Sequence, residues 1–100
     1  MRDGKQLRSE HADATRAKIV EVARSLFAAR GYEAVSLDEI AAAARVTKGA
    51  IYHHFANKRD LFRVVYEELA AGIEDRVRRR LARAQDPRER VELAIDAFLE

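Results

Sequence analysis

The sequence predicts an all-α chain, on three observations. Apolar residues recur at three- and four-residue steps through most of the 100 residues, helix-capping side chains stand where these periodic stretches begin, and no stretch alternates apolar and polar residues as a half-buried strand does. The composition agrees. With 48% hydrophobic and 36% charged residues, four Gly, one Pro and no low-complexity tract, the chain has the make-up of a folded helical protein of about one domain's size and one core.

Residues 1–12 are polar, lack periodicity and carry Arg2, Lys5 and Arg8, which reads as a flexible basic arm. From Asp13 to Arg30 the apolar positions Ile19, Val22, Ala23, Leu26 and Phe27 form one helical stripe. Asp13 or Thr15 is available as its cap. Gly31 stands where a left-handed residue ends a helix, letting Tyr32 fold back on Phe27.

Ser36-Leu37-Asp38-Glu39 has the form of a capping box, in which the Ser36 hydroxyl accepts from the Glu39 N–H and the Glu39 carboxylate returns to the Ser36 N–H. A second helix therefore starts at Leu37 and runs through Ile40 and Ala41 to Ala44. Arg45-Val46-Thr47 interrupts it, and Thr47 is a cap for a third helix from Lys48 to about His54, with Ile51 and Phe55 turned inward. Helices this short do not persist alone in water, so packing must hold them. Ala41, lacking bulk, lets the third helix cross the second closely. Helix, three-residue turn and helix make a helix-turn-helix.

Asn57 caps a long fourth helix that carries Leu61, Phe62, Val65, Leu69, Ile73, Val77 and Leu81 and extends to about Ala84, with Gly72 as a possible bend. Asp86-Pro87-Arg88-Glu89 reads as cap, first-turn proline and acid at the third position of a fifth helix bearing Val91, Leu93, Ala94, Ile95, Phe98 and Leu99. The expected divisions are the arm at 1–12, a helix-turn-helix domain at 13–63, and a connecting helix with the start of a second helical region at 64–100.

Charge and chemistry narrow the function. Residues 1–63 hold twelve Lys/Arg against eight Asp/Glu, residues 64–100 seven against nine, and the formal total is +2. The basic excess lies in the half that carries the helix-turn-helix, which favours a polyanionic partner there. The absence of Cys excludes disulfides, thiolate metal sites and thiol nucleophiles. There is no Gly-rich phosphate loop and no Ser/His/carboxylate constellation, so no enzyme is expected. His53 and His54 are adjacent and diverge on a helix, unlike an i, i+4 metal pair, so neither a metal nor a cofactor is expected. No apolar segment follows Met1-Arg2-Asp3-Gly4-Lys5 and no run approaches membrane-spanning length; a cytoplasmic chain without membrane contact is the expectation.

The third helix displays Lys48, Tyr52, His53 and His54, while Gly49 and Ala50 at its start are small enough for close backbone approach to base edges. Backbone N–H groups near Ser36-Leu37 and Thr47-Lys48 lie at helix N-termini that favour phosphate oxygens. Asp38 suits the dipole of its own helix but repels phosphate, and is expected to turn away from DNA.

The segment from Val35 to Lys58, with Thr47-Lys48-Gly49-Ala50-Ile51-Tyr52-His53-His54-Phe55 before Asn57-Lys58, resembles the N-terminal DNA-binding domain of the TetR/AcrR family of bacterial transcriptional repressors. The likeness extends back to Thr15-Arg16 and forward to Asp60-Leu61-Phe62. It implies that Thr47, Lys48, Gly49 and Ala50 face bases or the adjoining backbone, that Tyr52 and His54 reach bases or phosphates, and that Lys58 holds a phosphate. Tyr52 packing its ring on the surface and Lys58 as plain solvated charge are the alternatives. Ser36, Leu37 and His53 complete the expected double-stranded DNA contact surface. Arg45 occupies a turn position where relatives often have Gly; it either strains the turn by about 1 kcal/mol or adds a phosphate contact.

The resemblance further implies a homodimer on a palindromic operator, with third helices about 34–36 Å apart. It also implies a small-molecule effector and a larger C-terminal helical domain that supplies the dimer contact and moves the fourth helix. Since relatives are commonly nearly twice as long, the chain is expected to be the N-terminal part of a longer regulator whose C-terminal domain is absent, and to dimerise weakly. A helical protein-interaction module that uses the apolar fifth helix without DNA is the competing reading. The run Arg76, Arg78, Arg79, Arg80 and Arg83 reads as a solvated face, balanced by Glu74, Asp75 and Asp86.

Overall fold

A computed structural model describes residues 4–84 and 86–99. The described residues are helical apart from short connections, in the order α1 (Gly4–Arg30), α2 (Leu37–Ala44), α3 (Lys48–His54), α4 (Lys58–Ala82) and α5 (Pro87–Leu99). The chain divides into two compact units, one ending at Val65 and the other starting at Tyr66. α4 gives its first two turns, through Leu61, Val64 and Val65, to the first unit, where the core cluster of the described residues lies.

In the first unit α1, α2 and α3 pack on one another. Ile19, Ala23, Ile40, Ile51 and Leu61 are completely buried, and Phe27, Val35, Phe55 and Val65 close the same core. The residues expected to turn inward from the two short helices therefore meet there. Ala41 is 6% exposed, so its lack of bulk is used inside the core, where a longer side chain would have to displace a neighbour. No side-chain nitrogen or oxygen is left buried without a partner among the described residues.

Local chemistry sets each helix boundary. Gly31 adopts φ +85° and its N–H donates to the Phe27 carbonyl at 2.8 Å, and Tyr32 returns to lie 5.7 Å from the Phe27 ring centroid. The Ser36 hydroxyl accepts from the Glu39 N–H at 3.1 Å. Glu39 is drawn further into an ion pair with Arg30, whose guanidinium also donates to the Ala34 carbonyl at 2.9 Å, so the end of α1 is tied to the start of α2. Asn57 Oδ1 accepts from the Asp60 N–H at 2.8 Å, and Asp60 accepts in return from the Ala56 N–H at 3.0 Å. Asp86 caps α5 through the Glu89 N–H at 2.8 Å.

The expected arm is corrected. Residues 4–12 continue α1 with exposed or half-exposed side chains instead of forming an irregular tail, and Met1–Asp3 lie outside the described residues. Extending a helix that already exists adds one hydrogen bond per residue without repeating the nucleation cost, and Lys5, Gln6, Leu7, Arg8 and Glu10 are good helix formers; no apolar stripe is needed. Asp13 and Thr15 accordingly cap nothing. The Thr15 hydroxyl instead donates to the His11 carbonyl one turn back, at 2.9 Å.

In the second unit Ala97 is buried, while Val91, Ile95, Phe98 and Leu99 are exposed. Asp75 pairs with Arg78 at 3.6 Å and with Arg79 at 2.5 Å along α4.

Candidate nucleic-acid interface

The turn between α2 and α3 is closed by backbone geometry. Arg45 is the only described non-glycine residue with positive φ (φ 59°, ψ 43°); its N–H donates to the Ala42 carbonyl at 3.2 Å and the Val46 N–H to the Ala41 carbonyl at 3.0 Å. These two bonds are those of a Schellman stop, so the left-handed turn is kept although a side chain occupies it. The cost is about 1–2 kcal/mol relative to an ordinary backbone conformation. Arg45 itself is exposed.

Thr47 then restarts the chain as a helix, its hydroxyl accepting from the Ala50 N–H at 3.0 Å. With seven residues, α3 is held by its inner side: Ile51 is fully buried, and Phe55, 2% exposed, donates its N–H to the Ile51 carbonyl at 2.9 Å. Its outer side carries Lys48, Gly49, Tyr52 and His53, all exposed, with Ala50 and His54 half-buried. Tyr52 is 51% exposed. The Cβ position of Gly49 has only the Thr47 hydroxyl near it, at 3.8 Å, so nothing in the domain itself requires glycine there.

His53 and His54 stand edge to face with centroids 5.0 Å apart. Burial, then the charges of His53 and Arg16, hold the His54 imidazole below its ordinary value of 6.5. Arg16, from α1, lies over the Phe55 ring at 5.4 Å and so brings a second helix's cation beside the end of α3. Lys58, at the start of α4, is half-buried with its ammonium 4.2 Å from the Tyr32 centroid. Tyr32 in turn stacks edge-on against Phe62 at 5.0 Å.

Of the expected site residues, Thr47, Lys48, Gly49, Ala50, Tyr52, His53 and His54 come together on one short helix and its cap. Ser36 and Leu37 mark the start of α2; Ser36 is exposed, while the Leu37 side chain is buried and leaves only its backbone to a partner. The carboxylate of Asp38, the residue expected to turn away from DNA, lies 3.4 Å from Lys48 Nζ. Arg16, Tyr32 and Asp38 were not on the expected surface; each joins it through a contact between elements that no local pattern announces. Among the described residues no three His, Asp or Glu side chains gather to hold a metal ion, and no helix is long and apolar enough to cross a membrane.

Residues 19–65, the stretch from the buried half of α1 to the first two turns of α4, match the family model described as bacterial regulatory proteins, tetR family. This stretch is a tetR-family domain. It is 46% identical over 66 residues to the TetC protein of transposon Tn10 from Escherichia coli, covering 66% of this chain and 34% of that protein. It is 34% identical over 88 residues to the transcriptional activator FasR of Mycolicibacterium smegmatis, covering 88% of this chain and 40% of FasR. Among solved structures, a TetR-family transcriptional regulator from Streptomyces coelicolor superposes with a TM-score of 0.82 at 27% identity, over 85% of this chain and 45% of that one. The chain thus spans between a third and a half of the length of these relatives.

Proposed function

We propose that the chain is the DNA-reading part of a transcriptional regulator, in which α3 enters the major groove and the N-termini of α2 and α3 meet the flanking phosphates. One observation carries this reading: α3 spends Ile51 on the core and leaves Lys48, Gly49, Tyr52 and His53 exposed on a narrow, capped helix. Such an element has no use inside the fold beyond its one anchor. Thr47, Lys48, Gly49 and Ala50 face bases or the adjoining backbone, Tyr52 and His54 reach bases or phosphates, and Ser36, Leu37, Arg45 and Lys58 position the domain on phosphates.

The regulator acts as a homodimer on a palindromic operator, since one short helix reads too few base pairs for useful selectivity and a second copy about 34–36 Å away doubles the site. A small-molecule effector alters operator affinity, and α4, about 37 Å long at 1.5 Å per residue, is the element suited to carry that change. FasR is named an activator, so the direction of regulation follows from where the operator lies and not from this domain.

Enrichment of duplexes from a random-sequence pool by the chain, followed by fluorescence anisotropy at increasing salt, tests the proposal. Selective binding that weakens steeply as salt rises is expected. Binding that is blind to sequence, or no binding in dilute buffer, refutes it. The exposed Val91, Ile95, Phe98 and Leu99 of α5 favour a protein contact as well; association through that face alone would be insensitive to salt.

A further inference from the structure

Lys48 is the first residue of α3, where the helix dipole presents its positive end, and the first turn of α3 contains no acid to balance it. An acid from another element pairs with the lysine itself: Asp38, in the first turn of α2, reaches Lys48 Nζ at 3.4 Å. The carboxylate thus engages, from the first turn of α2, the side chain of a lysine at the tip of the reading helix. An acid there opposes the attraction on which sequence-blind binding depends. It is solvated, 74% exposed against 48% for Lys48, so it satisfies no buried group and holds no core residue in place.

We infer that Asp38 is a specificity-determining residue, which keeps Lys48 on the base-reading side of α3 and out of indiscriminate phosphate contacts. The inference rests on the DNA-reading function proposed above. On a non-matching duplex, using Lys48 for a phosphate means giving up the ion pair and bringing that phosphate against the Asp38 carboxylate. On a matched duplex Lys48 donates to a base-edge acceptor, a guanine N7 or O6, with the carboxylate still beside it. Discrimination then arises partly from a repulsive element that penalises the wrong sites.

The test compares the wild-type chain with Asp38→Asn, Asp38→Glu, Lys48→Ala and the Asp38→Asn/Lys48→Ala double variant. The probes are a duplex enriched from random sequence by the wild-type chain and a scrambled duplex of the same composition. Asp38→Asn is expected to lower the ratio of matched to scrambled affinity roughly two- to fivefold, the scale of an exposed ion pair. The loss should come from tighter binding to the scrambled duplex, with its log–log salt slope steepened by about one. Asp38→Glu should keep the wild-type ratio, and in the Lys48→Ala background Asp38→Asn should leave the ratio unchanged. Equal tightening on both duplexes, or a full effect of Asp38→Asn without Lys48, overturns the inference while leaving the DNA-reading function intact. A wild-type chain that enriches no duplex fails the proposed function first, and the inference with it.

Discussion

The Lys58 ammonium rests 4.2 Å from the centroid of the Tyr32 ring, so the loop that follows α1 seats the first residue of α4. The same ring packs on Phe27 and Phe62, which also touch each other, so Tyr32 is one member of a three-ring cluster. A lysine held this way loses little freedom when it meets a phosphate, because its stem is already ordered. Lys58→Ala should therefore weaken binding to matched and scrambled duplexes alike and reduce the salt slope by about one, whereas Lys48→Ala should also relax selectivity at one base position. Anisotropy titrations on both duplexes read the difference; identical profiles for the two variants would contradict the division of roles.

Thr47 caps the N-terminus of α3 with its side chain. Thr47→Ala should cost about 1 kcal/mol in urea unfolding, and Thr47→Asn should restore most of it. The loss should also lower DNA affinity, since fraying of a seven-residue helix displaces Lys48 directly.

Arg45 holds a left-handed conformation that glycine adopts without strain. Arg45→Gly is expected to raise stability by up to about 1 kcal/mol, the relief of strain being partly offset by the greater freedom of glycine in the unfolded chain. If the arginine also meets a phosphate, DNA affinity falls as stability rises, and the two measurements separate the roles left open by the sequence.

Acid should destabilise the fold in two stages. Burial, then the neighbouring His53 and Arg16 charges, keep His54 below 6.5, so the unfolded chain takes up that proton first, and the contribution present above pH 6.5 is lost as pH falls through the lowered folded value. Glu39, held below 4.5 chiefly by its hydrogen bond from Arg30, and Asp60, held below 3.8 chiefly by the Ala56 N–H, contribute above those values and lose their effect as pH falls through the depressed ones. Thermal unfolding followed by circular dichroism should show Tm declining below pH 6.5 and again below about 4.5. In His54→Gln the first decline should vanish.

Much of the fold was legible because its boundaries are set by short-range chemistry. Ser36 with Glu39, Thr47 with the Ala50 N–H, Asn57 with Asp60 and Asp86 with Glu89 are all three-residue relationships that a linear reading detects. The helical residues 4–12 were not legible, since propagation from an existing helix leaves no apolar signature. Nor were the Asp38–Lys48 pair, Arg16 over Phe55 or Lys58 over Tyr32: each depends on how two elements cross, which residue spacing within either one does not encode. Residue spacing names the side chains that α3 exposes, and it does not name the contacts that join them to α1, α2 and α4.

The anchoring of α3 by one inward residue, Ile51, has an evolutionary corollary. Substitutions at Lys48, Gly49, Tyr52 or His53 remove no buried contact, so new target preferences can be sampled at little risk to folding. Under the proposed function, a copied gene can diverge toward another promoter while the scaffold of its product stays unchanged.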